Sequence, residues 1–143
     1  NLTPTTLELG GKSPCIVDAS ADLDAVAIKI AHGKLLNAGQ TCIAPDYVLL
    51  PRGQEAAFEQ AYRAAVAQIF PTIAGNPDYA AIVSDRHHAR LHALLNEAAS
   101  QGARVVDVAP TSMVLKLVGA AISTAPLAVE VNTRTPLAFA PDE

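Results

Sequence analysis

Tryptophan is absent, methionine occurs once, and aromatic residues make up 4% of the chain. Positive charge is also short. Ten Lys and Arg against fourteen Asp and Glu leave a formal charge of −4. That balance excludes the basic footprint of a nucleic-acid or anionic-membrane partner. No apolar run reaches the roughly 20 residues that span a bilayer, and no signal-peptide pattern is present. Cysteine is limited to Cys15 and Cys42. Two thiols are too few for a disulfide framework, so a reducing cytoplasm is expected. A Cys15–Cys42 disulfide would abolish the thiol chemistry considered below. The sequence also lacks a glycine-rich phosphate loop between strand and helix, internal repeats and low-complexity segments.

What is present is a chain of 143 residues, half of them hydrophobic and rich in Ala and Val. A single domain of that length buries about 68–70% of its unfolded surface. The pattern predicts strands over 5–9, 14–18, 46–50 and 104–108. Helices are predicted from a cap at Ser20 or Asp22 to about Ala38, from Gln54 to Phe70, and from Asp85 to Ser100 after a Ser84 cap. Asn37 and Gly39 suit the end of the first helix. Leu23, Val26, Ala27 and Ile30 form its stripe, which Ile28, Leu35 and Leu36 widen, so that helix is expected to be buried. Helix alternating with apolar strand implies an α/β fold, with an open, mostly parallel twisted sheet flanked by helices. Cys15, in the second strand, reads as a small core hydrophobe. His87, His88 and His92 read as a solvated helix face beside Arg86 and Arg90 rather than metal ligands.

Two stretches stand out. In Asn37-Ala38-Gly39-Gln40-Thr41-Cys42 a thiol follows a glycine at the end of an apolar helix. In Leu7-Glu8-Leu9-Gly10-Gly11-Lys12 a carboxylate stands between leucines and runs into paired glycines. Alone, such a Cys is usually an inert core residue. Such a Glu is usually the exposed position of a strand. Together they are the two groups that thiol-based covalent catalysis needs. The thiol attacks a carbonyl, and the carboxylate activates the water that frees the product. Flanking leucines are expected to desolvate Glu8 and raise its pKa toward that of a useful base.

The segments 7–14 and 39–42 closely resemble the two signature segments of the aldehyde dehydrogenase superfamily, in order and in interval. The run Cys42-Ile43-Ala44-Pro45-Asp46-Tyr47-Val48-Leu49 is similar to the branch holding class 3, fatty-aldehyde and bacterial coniferyl-aldehyde dehydrogenases. The resemblance extends from Leu7 to about Val106. It implies that 1–106 is a catalytic-domain segment and that 107–143 is a divergent tail. That tail is expected to be a strand-rich substitute, a frameshifted end or a poorly ordered stretch. The resemblance also implies that Cys42 is the nucleophile and Glu8 the general base. Leu9 and Gly10 would lie beside the nicotinamide of NAD or NADP. The substrate would be an apolar or aromatic aldehyde, oxidised to the acid through a cysteine thioester. Members that pass the acyl group to coenzyme A lack the base that Glu8 supplies. Full-length relatives would form homodimers.

Three parts of the family's pattern are missing: the cofactor-binding region ahead of Glu8, the oxyanion Asn, and the later ribose-binding Glu before Phe-Gly-Pro. Glu130 does not match that last segment and takes no role. The chain also begins at Asn1, and is expected to be a piece unable to complete a turnover alone. A non-catalytic fragment that only packs or oligomerises is therefore one rival reading. A cofactor-free thioesterase or esterase using the same Cys42 and Glu8 is another.

Overall fold

The computed structural model describes residues 2–109, 116–120 and 128–132. The order of elements is β1 (Ser13–Ile16), α1 (Leu23–Leu35), a 3-10 turn (Leu36–Gly39), β2 (Pro45–Leu49), α2 (Glu55–Ile69), α3 (Asp85–Ser100), β3 (Arg104–Asp107), β4 (Lys116–Ala120) and β5 (Ala128–Asn132). The α/β class expected from the pattern is the one observed. β1 and β2 run parallel, joined by α1, with Cys15 opposite Val48 and Ile16 opposite Leu49. The sheet order is β1-β2-β5-β4-β3. The parallel part of the sheet is the β1–α1–β2 unit. The pairs β2–β5, β5–β4 and β4–β3 are antiparallel. Two of those strands come from 107–143, and they join the sheet by backbone hydrogen bonds.

α1 and α3 start where a side chain replaces the missing backbone acceptor, whereas α2 starts at Gln54 without a side-chain cap. Of the two candidate caps for α1, Asp22 serves, accepting from the N–H of Asp24 (3.0 Å) and Ala25 (3.3 Å). Ser20 instead donates to Asp18 Oδ1 at 2.6 Å. Ser84 Oγ accepts from His87 N–H to open α3. The core lies where α1 and α2 pack on β1 and β2. It is built from Ala27, Ile30, Ala31 and Leu35 of α1, Phe58, Ala61, Tyr62, Ala65 and Val66 of α2, and Val48 and Leu50. Ile28 and Leu36, expected to widen the buried stripe, are exposed. α3 packs Leu95 and Ala98 against Ala103 and Val105, while Val106 joins the main core. Adjacent strand residues point to opposite faces, so α3 covers one side of β3 and the main core the other.

One expected element does not form. Residues 5–9 are not a strand, and Leu7 and Leu9 are 68% and 81% exposed. A strand exists only through its ladder, and no described strand pairs with this segment. Glu8 therefore does not sit near the end of a strand over 5–9.

The core also holds groups that resist ionisation. Burial pushes the Tyr62 hydroxyl far above the usual phenol range, helped by Tyr79 and Cys15 nearby. Burial likewise raises Tyr79. It raises Cys15 too, against the pull of the Lys34 cation. All three are raised above their unfolded values. Their stabilisation is complete below those values and is lost as pH rises, because the unfolded chain then releases protons more readily. Urea midpoints should therefore fall steadily above about pH 9. Tyr62→Phe should flatten that decline. Midpoints unchanged to pH 10.5 would contradict the burial of these groups.

Candidate active site

α1 does not simply stop. Asn37, Ala38 and Gly39 all take left-handed backbone, with φ of 51°, 53° and 74°. Asn and Gly accept that conformation readily, and Ala38 does so at a cost. The three residues turn the chain sharply back toward the sheet. Asn37 Nδ2 donates to the carbonyl of Gln40 at 3.3 Å. Gln40 Nε2 donates in return to the Asn37 carbonyl at 3.0 Å. A second turn follows, closed by Ala44 N–H to the Thr41 carbonyl at 3.2 Å. Cys42 rides on that second turn and is exposed, whereas Cys15 in β1 is half-buried.

The second motif reaches the first through a glycine. A methyl group on Gly11 would overlap the backbone carbonyl of Cys42. The two segments are therefore in backbone contact, which only a residue without Cβ allows. Gly10 differs, since open space surrounds its Cα. The next residue fixes the contact. Lys12 Nζ lies 2.7 Å from Asp46 Oδ2. Lys34 Nζ of α1 lies 4.0 Å from Asp46 Oδ1. Lys34 is 2% exposed and Asp46 5%. The β1–β2 register shifts between Ser13 and Pro14, opposite the step from Pro45 to Tyr47, so Asp46 stands at a bulge. One buried carboxylate thus ties the Gly11–Lys12 segment, α1 and β2 together, four residues after Cys42.

Glu8 is exposed on irregular chain, so the described residues do not give it the apolar enclosure expected from its leucine neighbours. It lies three positions before Gly11, a span of at most about 11 Å. Leu9 contributes to a cleft of about 520 Å³, lined also by Asn37, Gln40, Ile82, Val83, His87 and Leu91. Asn37 and Gln40 bring the cleft to the turn that precedes Cys42; Leu9, Ile82, Val83 and Leu91 give it aliphatic wall, and Asn37, Gln40, His87 and Arg90 give it polar wall. The sequence reading missed Gln40, Asp46 and Lys34. Their signals were present. Lys34 continues the buried spacing Ala27, Ile30, Ala31. Asp46 shares its strand face with Val48 and Leu50.

Gly11→Ala should separate the two segments. Relieving an overlap with backbone costs about 1–3 kcal/mol. The urea midpoint should fall accordingly, with a changed rate of Cys42 alkylation. A variant with wild-type stability and thiol reactivity would refute the contact.

An α/β chain in which two motif segments meet at an exposed thiol is the arrangement that these residues define. The sequence profile of the aldehyde dehydrogenase family matches residues 1–113, and the chain belongs to that family. It is 50% identical over 110 residues, 77% of its length, to a probable coniferyl aldehyde dehydrogenase of Caulobacter vibrioides. It spans 23% of that relative's length. Among solved structures it resembles AldH of Staphylococcus aureus in its substrate-bound state, with a TM-score of 0.62, 36% identity, and coverage of 68% of this chain and 21% of that one. It also resembles a Pseudomonas syringae aldehyde dehydrogenase mutant complexed with NAD+ and octanal. There the TM-score is 0.54 and the identity 27%, covering 67% of this chain and 20% of that one.

Proposed function

We propose that this chain supplies the thiol and the carboxylate of a site that oxidises an apolar or aromatic aldehyde to its acid. The observation that carries the reading is the backbone contact between Gly11 and Cys42. It brings the segment holding Glu8 to the segment holding Cys42. Cys42 is the nucleophile, and its exposure in a turn leaves the sulfur open to a carbonyl carbon. The thiolate forms the S–C bond while the carbonyl electrons move to oxygen. The Cys42 backbone N–H is the donor we assign to that oxygen. At the other end of the reaction, Glu8 takes a proton from water as its oxygen attacks the acyl carbon. The thiolate then leaves and the acid is released.

Oxidation between these two steps calls for a hydride acceptor, NAD or NADP, which the complex of the Pseudomonas syringae relative with NAD+ supports. Open space at Gly10 and the exposure of Leu9 leave room for a flat ring. The described residues do not, however, cradle the cofactor's phosphates. The first turns of α1, α2 and α3 carry Asp24, Glu55 and Asp85, which oppose an anion there. The chain's own part is thus adduct formation and acyl hydrolysis. Preference for a coniferyl-like aldehyde is supported by the Caulobacter relative and by the aliphatic part of the cleft wall, which Asn37, Gln40, His87 and Arg90 complete with polar groups. In this reading, residues 1–106 are the catalytic-domain segment, working in a homodimeric cytoplasmic enzyme.

Acyl trapping tests the assignment without any cofactor. The chain is mixed with 4-nitrophenyl acetate, quenched in acid and digested. An acetyl group should appear on Cys42 at least about tenfold sooner than on Cys15, which is half-buried and whose thiol is raised by burial. Acetylation of Cys15 first, or of neither thiol, would remove the reading in favour of a packing fragment.

A further inference from the structure

Gln40 does more than close its own turn. Its Nε2 donates to the carbonyl of Ala81 at 3.0 Å, and its Oε1 accepts from the N–H of Val83 at 2.9 Å. One amide side chain thus meets two backbone groups of the same strap, 41 and 43 residues away in sequence. The pairing is complementary in the way of a sheet ladder, and it engages both ends of the amide. The strap 81–83 supplies Ile82 and Val83 to the cleft, and Gln40 lines the same cleft. Val83 is exposed, so its position does not come from core packing. Gln40 lies two residues before Cys42, which puts the Cα atoms of the two residues within about 7 Å of each other.

Resting on the reading of Cys42 as nucleophile, we infer that Gln40 is a specificity-determining positioning residue. It locks the 81–83 strap beside Cys42, so that Leu9, Ile82, Val83 and Leu91 form an apolar wall for the body of the substrate. Gln40 touches no reacting atom in this scheme. It sets where the wall stands relative to the thiol. The ligand it selects is a carbonyl compound with a flat apolar or aromatic body, which a cleft of this size accommodates.

The chain itself allows the test, using two alkylating probes with the same reacting carbon. Iodoacetamide has no apolar body, and N-benzyl-iodoacetamide carries an aromatic ring. In both, the Cys42 sulfur forms a bond to carbon as iodide leaves. The measured quantity is the ratio of the two labelling rates at Cys42, divided by the same ratio for glutathione, with Cys15 followed in each digest. In the wild-type chain the normalised ratio should be about tenfold above one, the effect of one well-placed ring on a preformed wall. Gln40→Met keeps the side-chain length but loses both strap bonds together with the bond to the Asn37 carbonyl, and should bring the ratio to about one. Gln40→Glu keeps the acceptor for Val83 N–H and loses the donor to Ala81 and Asn37, and should fall between. The ratio at Cys15 should not move. A merely structural role would change both probes equally and leave the ratio alone.

A ratio raised in wild type and unchanged in both variants would overturn the role of Gln40. So would a wild-type ratio near one. Either outcome leaves the acyl trapping of Cys42 standing, because that experiment does not depend on the strap. Failure of acyl trapping with the ratio pattern intact would instead remove the catalytic reading and keep the clamp.

Discussion

Glu8→Gln should leave the first acylation of Cys42 at its wild-type rate and slow steady turnover of 4-nitrophenyl acetate by about 10²–10⁴-fold. The ester stands in for the acyl stage of aldehyde oxidation, since both leave an acyl group on sulfur. Cys42 reacts first, releasing one equivalent of 4-nitrophenolate. Each later equivalent waits for water to free the thiol. Gln has the shape of Glu but does not accept a proton at neutral pH, so only the second stage loses its base. Cys42→Ala should remove both the burst and the steady phase, because the covalent route is gone. The two variants therefore fail in different ways, and stopped-flow absorbance separates them. In Glu8→Gln the acyl group should also accumulate as added mass on Cys42. Unchanged steady turnover in that variant would make Glu8 what its exposure alone suggests, a solvated residue on irregular chain.

Asp46→Asn should destabilise the chain by about 3–5 kcal/mol, the cost typical of removing one partner of a buried ion pair. Lys34, almost wholly buried and 4.0 Å from Asp46, loses a carboxylate neighbour in that variant. Lys12, being partly exposed, can turn to water, so its share of the loss is small. Single domains are stable by only about 5–15 kcal/mol. The urea midpoint of Asp46→Asn should therefore fall by a large fraction of its wild-type value. Asp46→Asn combined with Lys34→Met removes the buried ammonium as well and fills its place with an apolar chain. That double variant should recover most of the loss. Equal midpoints for the single and double variants would show that the Lys34–Asp46 pair does not hold α1 to β2.

The amphipathic patterns of α2 and α3 were legible from spacing alone. Ser84 before Asp85 and Gly102 after Ser100 bound α3 where the sequence rules place its ends. Apolar stripes survive translation into structure because burial of one helix face is decided locally, by period. The stretch 5–9 shows the limit. Its alternation fits a strand, but a strand needs a neighbour to complete its ladder, and alternation does not report whether one is there. Ile28 and Leu36 show the same limit for helices. They are apolar and helical yet exposed, because the α1 stripe meets α2 and β2 on one side only.

The site divides in the same way. Cys42 and Glu8 were found as residue types in a spacing, since the chemistry of a thiol and a carboxylate belongs to the side chains themselves. The chain length between Leu7 and Cys42 does not say that their segments touch. Folding of β1, α1 and β2 brings Gly11 onto the Cys42 carbonyl, and a single buried carboxylate at Asp46 holds that contact in place. Nor does the sequence show that an amide at position 40 would meet a strap some forty residues away. Sequence determines which groups are available and the period of each element. Contacts between segments distant along the chain depend on where the packed core sets each backbone, and so only the tertiary structure decided them.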